Sequence, residues 1–134
     1  MRGVAGGTRA TRFARVKDYA KRAHEEICVL VQVENQQGLD SLEKIAAVDG
    51  VFIGPADLHA SLGYPGETNN PKVMPVIDDA IRRIRKAGKA PGILTGVEAD
   101  ARRWLDCGGL FVAVGADTGV LARETEKLAA KFKS

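Results

Sequence analysis

Glu34 and Asp57 are the two residues whose type and setting best suit chemistry. Each comes just after a short apolar run, Ile27 to Val33 in one case and Val51 to Ile53 in the other. In parallel α/β arrangements reactive groups collect at the C-terminal ends of strands, where the βα loops open. Two carboxylates on adjacent strand ends bring hard oxygen donors within reach of one divalent cation. Mg²⁺ is commonly held by one or two carboxylates, with water and substrate filling the octahedron. The same residues have a plainer use, Glu34 at the N-terminal dipole of the next helix and Asp57 as the cap of its turn. Spacing alone leaves both uses open.

Gly54-Pro55-Ala56-Asp57 adds to the case, because a Gly-Pro turn after a strand admits a ligand close to backbone and leaves N–H groups of the next turn for an anion such as a carboxylate. An ordinary strand-to-helix turn has the same residues. Gly115-Ala116-Asp117-Thr118 has similar anion-cradling potential, and a simple N-cap accounts for it equally well. Arg2 to Thr8 is Gly-rich but lacks the Gly-Lys-Ser or Gly-Lys-Thr ending of a P-loop, which leaves it a lining role at best. His24 precedes the first strand, at the wrong end of a sheet for catalysis. His59 lies two residues past Asp57 and is expected at the surface; with only these two histidines no Ser-His-Asp or Cys-His arrangement can be argued.

The elements that must position these residues alternate between strand and helix length, the pattern of successive βα units around a parallel sheet. Ile27 to Val33 reads as a buried strand, being continuously apolar and rich in β-branched residues. A helix is expected from Gln36 to Ala47. Val51 to Ile53 forms the second strand, followed by a helical turn over Ala56 to Ala60 and a Gly/Pro/Asn-rich loop from Gly63 to Pro71. Val73, Val76, Ile77, Ala80, Ile81 and Ile84 make the apolar stripe of the clearest helix, with Asp78, Asp79, Arg82, Arg83 and Arg85 opposite and Gly88 ending it. Ala90 to Thr95 is the third strand, and a helix follows with Val97, Ala101, Trp104 and Leu105 inward. Gly109 to Val114 is the fourth, and a last helix runs from Thr118 to Phe132 with Val120, Leu121, Leu128 and Phe132 on one side. Ahead of them lie a Gly/Arg-rich lead-in, Met1 to Thr11, and an amphipathic helix from Val16 to Glu26. A helix and four βα units make half of an eight-fold barrel, for which a typical length is roughly 250 residues. An open four-stranded parallel sheet is the competing architecture.

Composition limits the partners. At 134 residues and 45% hydrophobic content the chain can bury one core and is one domain at most. A formal charge of +3 comes from Lys and Arg interspersed with Asp and Glu, and aromatics are 5%, so no nucleic-acid partner is expected. Cys28 and Cys107 fit neither a CxxC pair nor a zinc spacing and read as reduced thiols of a cytoplasmic protein. No apolar run approaches the ~20 residues of a membrane span, and no leader is read, so no membrane partner is expected.

Val31-Gln32-Val33-Glu34-Asn35, Val51 to Leu58, Gly63-Tyr64-Pro65-Gly66, Lys89 to Leu94 and Leu110 to Gly115, in that order, resemble the HpcH/HpaI aldolase family of the pyruvate/phosphoenolpyruvate-binding barrel superfamily. Arg2-Gly3-Val4 resembles the family's loop after the fourth barrel strand. The resemblance implies that residues 1–134 are a partial aldolase barrel domain, the C-terminal half of a TIM (β/α)₈ barrel. It implies a class II aldolase that splits a 4-hydroxy-2-oxo acid or 2-keto-3-deoxy sugar acid into pyruvate and an aldehyde. By the same resemblance Glu34 and Asp57 hold a divalent metal ion, Mg²⁺, Mn²⁺ or Co²⁺. Gln32 lies in the pyruvate pocket, the backbone of Ala56 and Asp57 contacts the pyruvate carboxylate, and Leu94 lines the aldehyde side. No Schiff-base lysine takes part.

Two departures carry weight. The strands that supply the family's proton-transferring histidine and pyruvate-gripping arginine are not in this sequence, so the catalytic residues stay unassigned and the chain alone is expected to be weak or inactive. The family repeats the Val-Asp-Gly step where this sequence has only Val48-Asp49-Gly50, which leaves the register of the second strand to be established. A non-catalytic half-barrel, retaining a metal site or an assembly role, is the competing function. Unpaired sheet edges make a homo-oligomer the expected state.

Overall fold

Four short strands, Leu30–Val33 (β1), Gly50–Ile53 (β2), Ala90–Leu94 (β3) and Phe111–Ala113 (β4), pair side by side in chain order, all parallel. The computed structural model describes residues 5–133. Around the sheet run seven helices among the described residues: Tyr19–Glu26 (α1), Gln36–Asp40 (α2), Leu42–Ile45 (α3), Pro55–Ser61 (α4), Met74–Lys86 (α5), Glu98–Asp106 (α6) and Asp117–Ala130 (α7). No helix of the described residues is long and apolar enough to cross a membrane.

The register sets Gln32 beside Phe52, Phe52 beside Gly92, and Gly92 beside Phe111. Alternation along each strand puts these four, with Leu30 and Leu94, on one face. Val33, Val51, Ile53 and Ile93 point the other way and are buried with Ile77, Ile81 and Ile84 of α5 and Trp104 of α6. Burying side chains of this size contributes about 1.5–3 kcal/mol each, which fixes α5 and α6 against that face. The opposite face is bare: Leu30, Leu94 and Phe111 are 42%, 41% and 55% exposed. Sequential strand order with helices on a single face is the winding of a barrel, whereas a doubly wound sheet covers both faces. The chain is an α/β half-barrel.

Several expectations are corrected. β1 begins at Leu30, not Ile27, because β2 offers it a ladder only from Gly50 onward; the turn before β2 is tied back by Asp49, whose Oδ2 accepts the Val29 N–H at 2.7 Å. β1 is also not a fully buried strand, since only Val33 is buried and the other face lies open. β4 is likewise confined to Phe111–Ala113 by its pairing with Gly92 to Leu94. The Gln36 to Ala47 helix breaks at Ser41, whose φ of −105° and ψ of 11° leave the helical region. The first helix starts at Tyr19 rather than Val16, after a turn held by Thr11, whose hydroxyl donates to the carbonyl of Gly6 at 2.7 Å and accepts from Thr8 and Ala14 N–H. Arg2, Gly3 and Val4 lie outside the described residues. In α6 Ala101 and Trp104 are inward as expected, but Leu105 is exposed, as is Val97 at the N-cap. The apolar side chains of α7 are exposed too, up to 67% at Leu121, and the helix stops at Ala130, short of Phe132, which is 82% exposed.

α5 follows its stripe closely and stops before Gly88, whose φ of +75° suits glycine at a helix end. Asp78, expected on the polar side, is buried instead, because Arg103 of α6 meets it there. With the single Val48-Asp49-Gly50 step, Val33 pairs with Ile53, so the next residues, Glu34 and Gly54, stand level at the strand ends.

Candidate functional site

Gly54 is where the first two strand ends meet. Its N–H donates to the Val33 carbonyl at 3.0 Å, which continues the ladder one residue past β2. A Cβ at Gly54 would lie 2.8 Å from Gln32 Nε2, 2.8 Å from Glu34 Cγ and 3.0 Å from Glu34 Oε1. The amide of Gln32 and the carboxylate of Glu34 therefore converge over the bare glycine. Pro55 then starts α4, with Asp57 in its first turn.

Glu34 is half-buried and Asp57 exposed. Neither makes a side-chain cap bond, although Glu34 directly precedes the cap of α2 and Asp57 lies in the first turn of α4, where a helix dipole favours negative charge. Asn35 is the N-cap of α2, its Oδ1 accepting the Gly38 N–H at 2.7 Å, and Gly54 is the N-cap of α4, with no side-chain cap bond. Among the described residues neither carboxylate has a hydrogen-bond or ion-pair partner of its own. The first intrahelical bond of α4 runs from Leu58 N–H to the Gly54 carbonyl at 2.9 Å, so among the described residues the N–H groups of Ala56 and Asp57 find no backbone acceptor.

Two hard carboxylate donors that the fold does not consume suit a divalent cation. No group of three or more His, Cys, Asp and Glu gathers among the described residues. Two carboxylates leave the remaining positions to water and a chelating ligand, the pattern in which Mg²⁺ is usually held. The residues present thus fit the metal that the family resemblance implies.

On the other side of Pro55 a cavity of about 230 Å³ is lined by Pro55, Ala56, Leu94, Thr95 and Trp104, among others. The structure thus brings Ala56 and Leu94 to one cavity and Gln32 and Glu34 to one glycine, with the Gly54-Pro55 step between them. Thr95 and Trp104 are lining residues that nothing in their types signals. Thr95 is nearly buried, and its Oγ1 accepts the Val97 N–H at 3.0 Å, shaping the turn into α6. Trp104 is 1% exposed and its indole N–H has no acceptor among the described residues, a deficit costing about 1–3 kcal/mol. A larger cavity of about 460 Å³ lies against α6, lined by Val97, Ala101, Leu105 and Val114 among others. It holds none of the expected site residues, so the smaller one is the relevant space.

His59 is corrected from surface to core. It is fully buried, its Nδ1 lies 2.7 Å from the Pro55 carbonyl, and its Nε2 accepts the Asn70 N–H at 3.2 Å. A carbonyl can only accept and an amide N–H only donate, so the ring is the neutral tautomer with its proton on Nδ1. It fastens α4 to the loop that follows. His24 is exposed on α1, ahead of β1. Asp117 accepts the Thr118 N–H at 2.8 Å in the first turn of α7, whose N-cap is Ala116 with no side-chain cap bond.

The chain is similar to known proteins in sequence and in fold. The profile of the HpcH/HpaI aldolase/citrate lyase family matches residues 5–123. A protein named pyruvate aldolase from Rhizobium etli is 53% identical over 135 residues, covering 98% of this chain and 53% of the relative. A 4-hydroxy-2-oxo-heptane-1,7-dioate aldolase from Shigella sonnei is 51% identical over 136 residues, covering 98% of this chain and 52% of the relative. The crystal structure of an HpcH/HpaI aldolase/citrate lyase family protein from Burkholderia cenocepacia J2315 superposes with a TM-score of 0.91 at 39% identity, over 100% of this chain and 53% of that one. The chain spans about half the length of the curated relatives it matches. With the family profile covering most of its length, the chain belongs to the HpcH/HpaI aldolase/citrate lyase family.

Proposed function

We propose that the chain is the metal-carrying half of a class II aldolase that cleaves a 4-hydroxy-2-oxo acid or 2-keto-3-deoxy sugar acid, reversibly, to pyruvate and an aldehyde. The observation that carries this reading is the convergence of the Gln32 amide and the Glu34 carboxylate over Gly54, one step before Asp57. The names of relatives at about 50% identity support the reaction class.

In this reading Glu34 and Asp57 hold the divalent ion, Mg²⁺, Mn²⁺ or Co²⁺. When bound, such an ion supplies Lewis acidity that favours negative charge on the keto oxygen of the oxo acid. Gln32 offers its amide to the oxo acid beside Glu34. The free N–H groups of Ala56 and Asp57 take the substrate carboxylate, as the first turn of a helix can. Leu94, with Pro55 and Trp104, walls the cavity on the aldehyde side. In retro-aldol cleavage the C3–C4 bond breaks, the 4-hydroxyl loses its proton, and C3 gains one. Neither histidine serves that transfer: His59 has both ring nitrogens engaged and His24 precedes the sheet.

The competing reading, a half-barrel that binds metal or assembles without turnover, is favoured by the bare sheet face and by that lack of a base. Metal binding is common to both and is tested first. Mn²⁺ titrated into wild type and into Asp57→Ala should show a large loss of affinity in the variant, since one of two ligating charges is gone. Equal affinity would sink the assignment of the pair.

A further inference from the structure

We infer that Gly54 is a positioning residue of the metal site: the missing side chain is the space in which the ends of Gln32 and Glu34 are held. The inference rests on the reading of Glu34 and Asp57 as the metal-holding pair, and it assigns a role to a residue that has no side chain of its own.

Glycine is found where backbone conformation demands it or where something else occupies the position of a Cβ. The first reason does not apply at Gly54. Its φ of −89° and ψ of 94° are open to any L residue, unlike Gly63, Gly66, Gly88 and Gly108, whose φ lies between 75° and 102°. The second reason applies with an unusual choice of neighbours. At Gly50 and Gly109 a Cβ would meet backbone oxygen, Ala90 O and Trp104 O, each at 2.8 Å, so those glycines serve strand and turn packing. At Gly54 the three nearest atoms are all in the side chains of Gln32 and Glu34.

The consequence separates stability from function. A methyl group at Gly54 meets no backbone atom among its nearest neighbours and displaces the side chains it meets, the Gln32 amide and Glu34 from its Cγ to its carboxylate. Residues that orient a metal ligand typically change metal affinity by about 10–100-fold when altered. Gly54→Ala should therefore bind Mn²⁺ about tenfold or more weakly while its melting temperature stays within about 2 °C of wild type.

The experiment is a double-mutant cycle on the full chain, with Mn²⁺ affinity read by the loss of the free-ion electron paramagnetic resonance signal and folding read by thermal melting. Wild type, Gly54→Ala, Glu34→Gln and the double variant are compared. Because the glycine acts through Glu34, Gly54→Ala should weaken wild type yet add little in the Glu34→Gln background. Wild-type affinity in Gly54→Ala, beside a clear loss in Glu34→Gln, overturns the inference alone. A melting temperature several degrees lower in Gly54→Ala also overturns it, by making the glycine a packing residue. Equal binding by wild type and Glu34→Gln removes the metal reading and this inference with it.

Discussion

Arg103 grips Asp78 with two of its nitrogens, Nη2 at 2.6 Å from Oδ2 and Nε at 3.0 and 3.1 Å from Oδ1 and Oδ2. The pair joins α6 to α5 on the flank of the core, and Asp78 is 8% exposed. Removing one partner of a buried ion pair leaves a stranded charge and costs about 3–5 kcal/mol. The Arg103 side chain is 42% exposed, so water can replace part of what is lost. Arg103→Ala should lower stability by about 1–3 kcal/mol, seen as a reduced urea midpoint with an unchanged slope. Arg103→Lys should recover only part of it, since a lysine cannot reproduce the two-nitrogen grip.

Glu43 gives a pH dependence of definite sign. Arg83 donates to it through Nε at 2.7 Å and Nη2 at 2.8 Å, linking α5 to α3. These side-chain hydrogen bonds, chiefly, hold the carboxyl at about 2 instead of 4.5. The folded value lies below the unfolded one, so the stabilisation is complete above 4.5 and disappears as pH falls from there toward 2. Glu43→Gln should melt below wild type near neutral pH, and the two melting curves should draw together through that window. Because the group is exposed, added salt should shrink the difference at neutral pH. A gap that widened with acid would contradict the assignment.

How much of this was legible in the sequence differs by kind of interaction. The stripe of Ile77, Ala80, Ile81 and Ile84 specified α5 because periodicity is local, and the strand ends could be placed because Gly54-Pro55 stops a strand. Asp78 could not be read as buried, since Arg103 lies on another helix 25 residues away. His59 was misplaced for a similar reason. Its partners are backbone groups of Pro55 and Asn70, and backbone carries no residue-type signal. β1 read as buried because its composition suits a strand covered on both faces, whereas here helices cover one. The convergence of Gln32 and Glu34 was legible only through the family resemblance, because cross-strand register decides which side chains meet at Gly54.

The bare face predicts association. Leu30, Leu94 and Phe111 lie open on it, and β1 and β4 are edges of the sheet. Apolar surface and unpaired strand edges of this kind favour pairing with another chain, and in a pure sample the chain available is a second copy. Sedimentation at increasing concentration should show a rising average mass. A monomer that stays monomeric and melts cooperatively across that range would count against a half-barrel with an uncovered interior.

Turnover is the last prediction, and the one that separates the aldolase from the non-catalytic reading. Aldol chemistry at a pyruvate unit needs a group that moves a proton, and such help contributes about 10²–10⁴-fold in rate. His59 has no free ring nitrogen: Nδ1 bonds the Pro55 carbonyl and Nε2 the Asn70 N–H. His24 stands on α1, ahead of the strand whose other end carries Glu34. The 134-residue chain should therefore release pyruvate from a 4-hydroxy-2-oxo acid very slowly or not at all, with Mg²⁺ or Mn²⁺ present. Supplying the other half of a family barrel as a separate polypeptide should restore turnover, provided it covers the bare face and brings the histidine and arginine that the resemblance implies. Asp57→Ala should abolish that restored activity if the metal site lies in this half. His59→Ala should act through folding, lowering stability by about 2–4 kcal/mol as a buried, doubly bonded ring is lost. Rapid turnover by the chain alone, abolished by His59→Ala under conditions where the variant is still folded, would show that His59 is the base and that this half carries its own catalytic machinery.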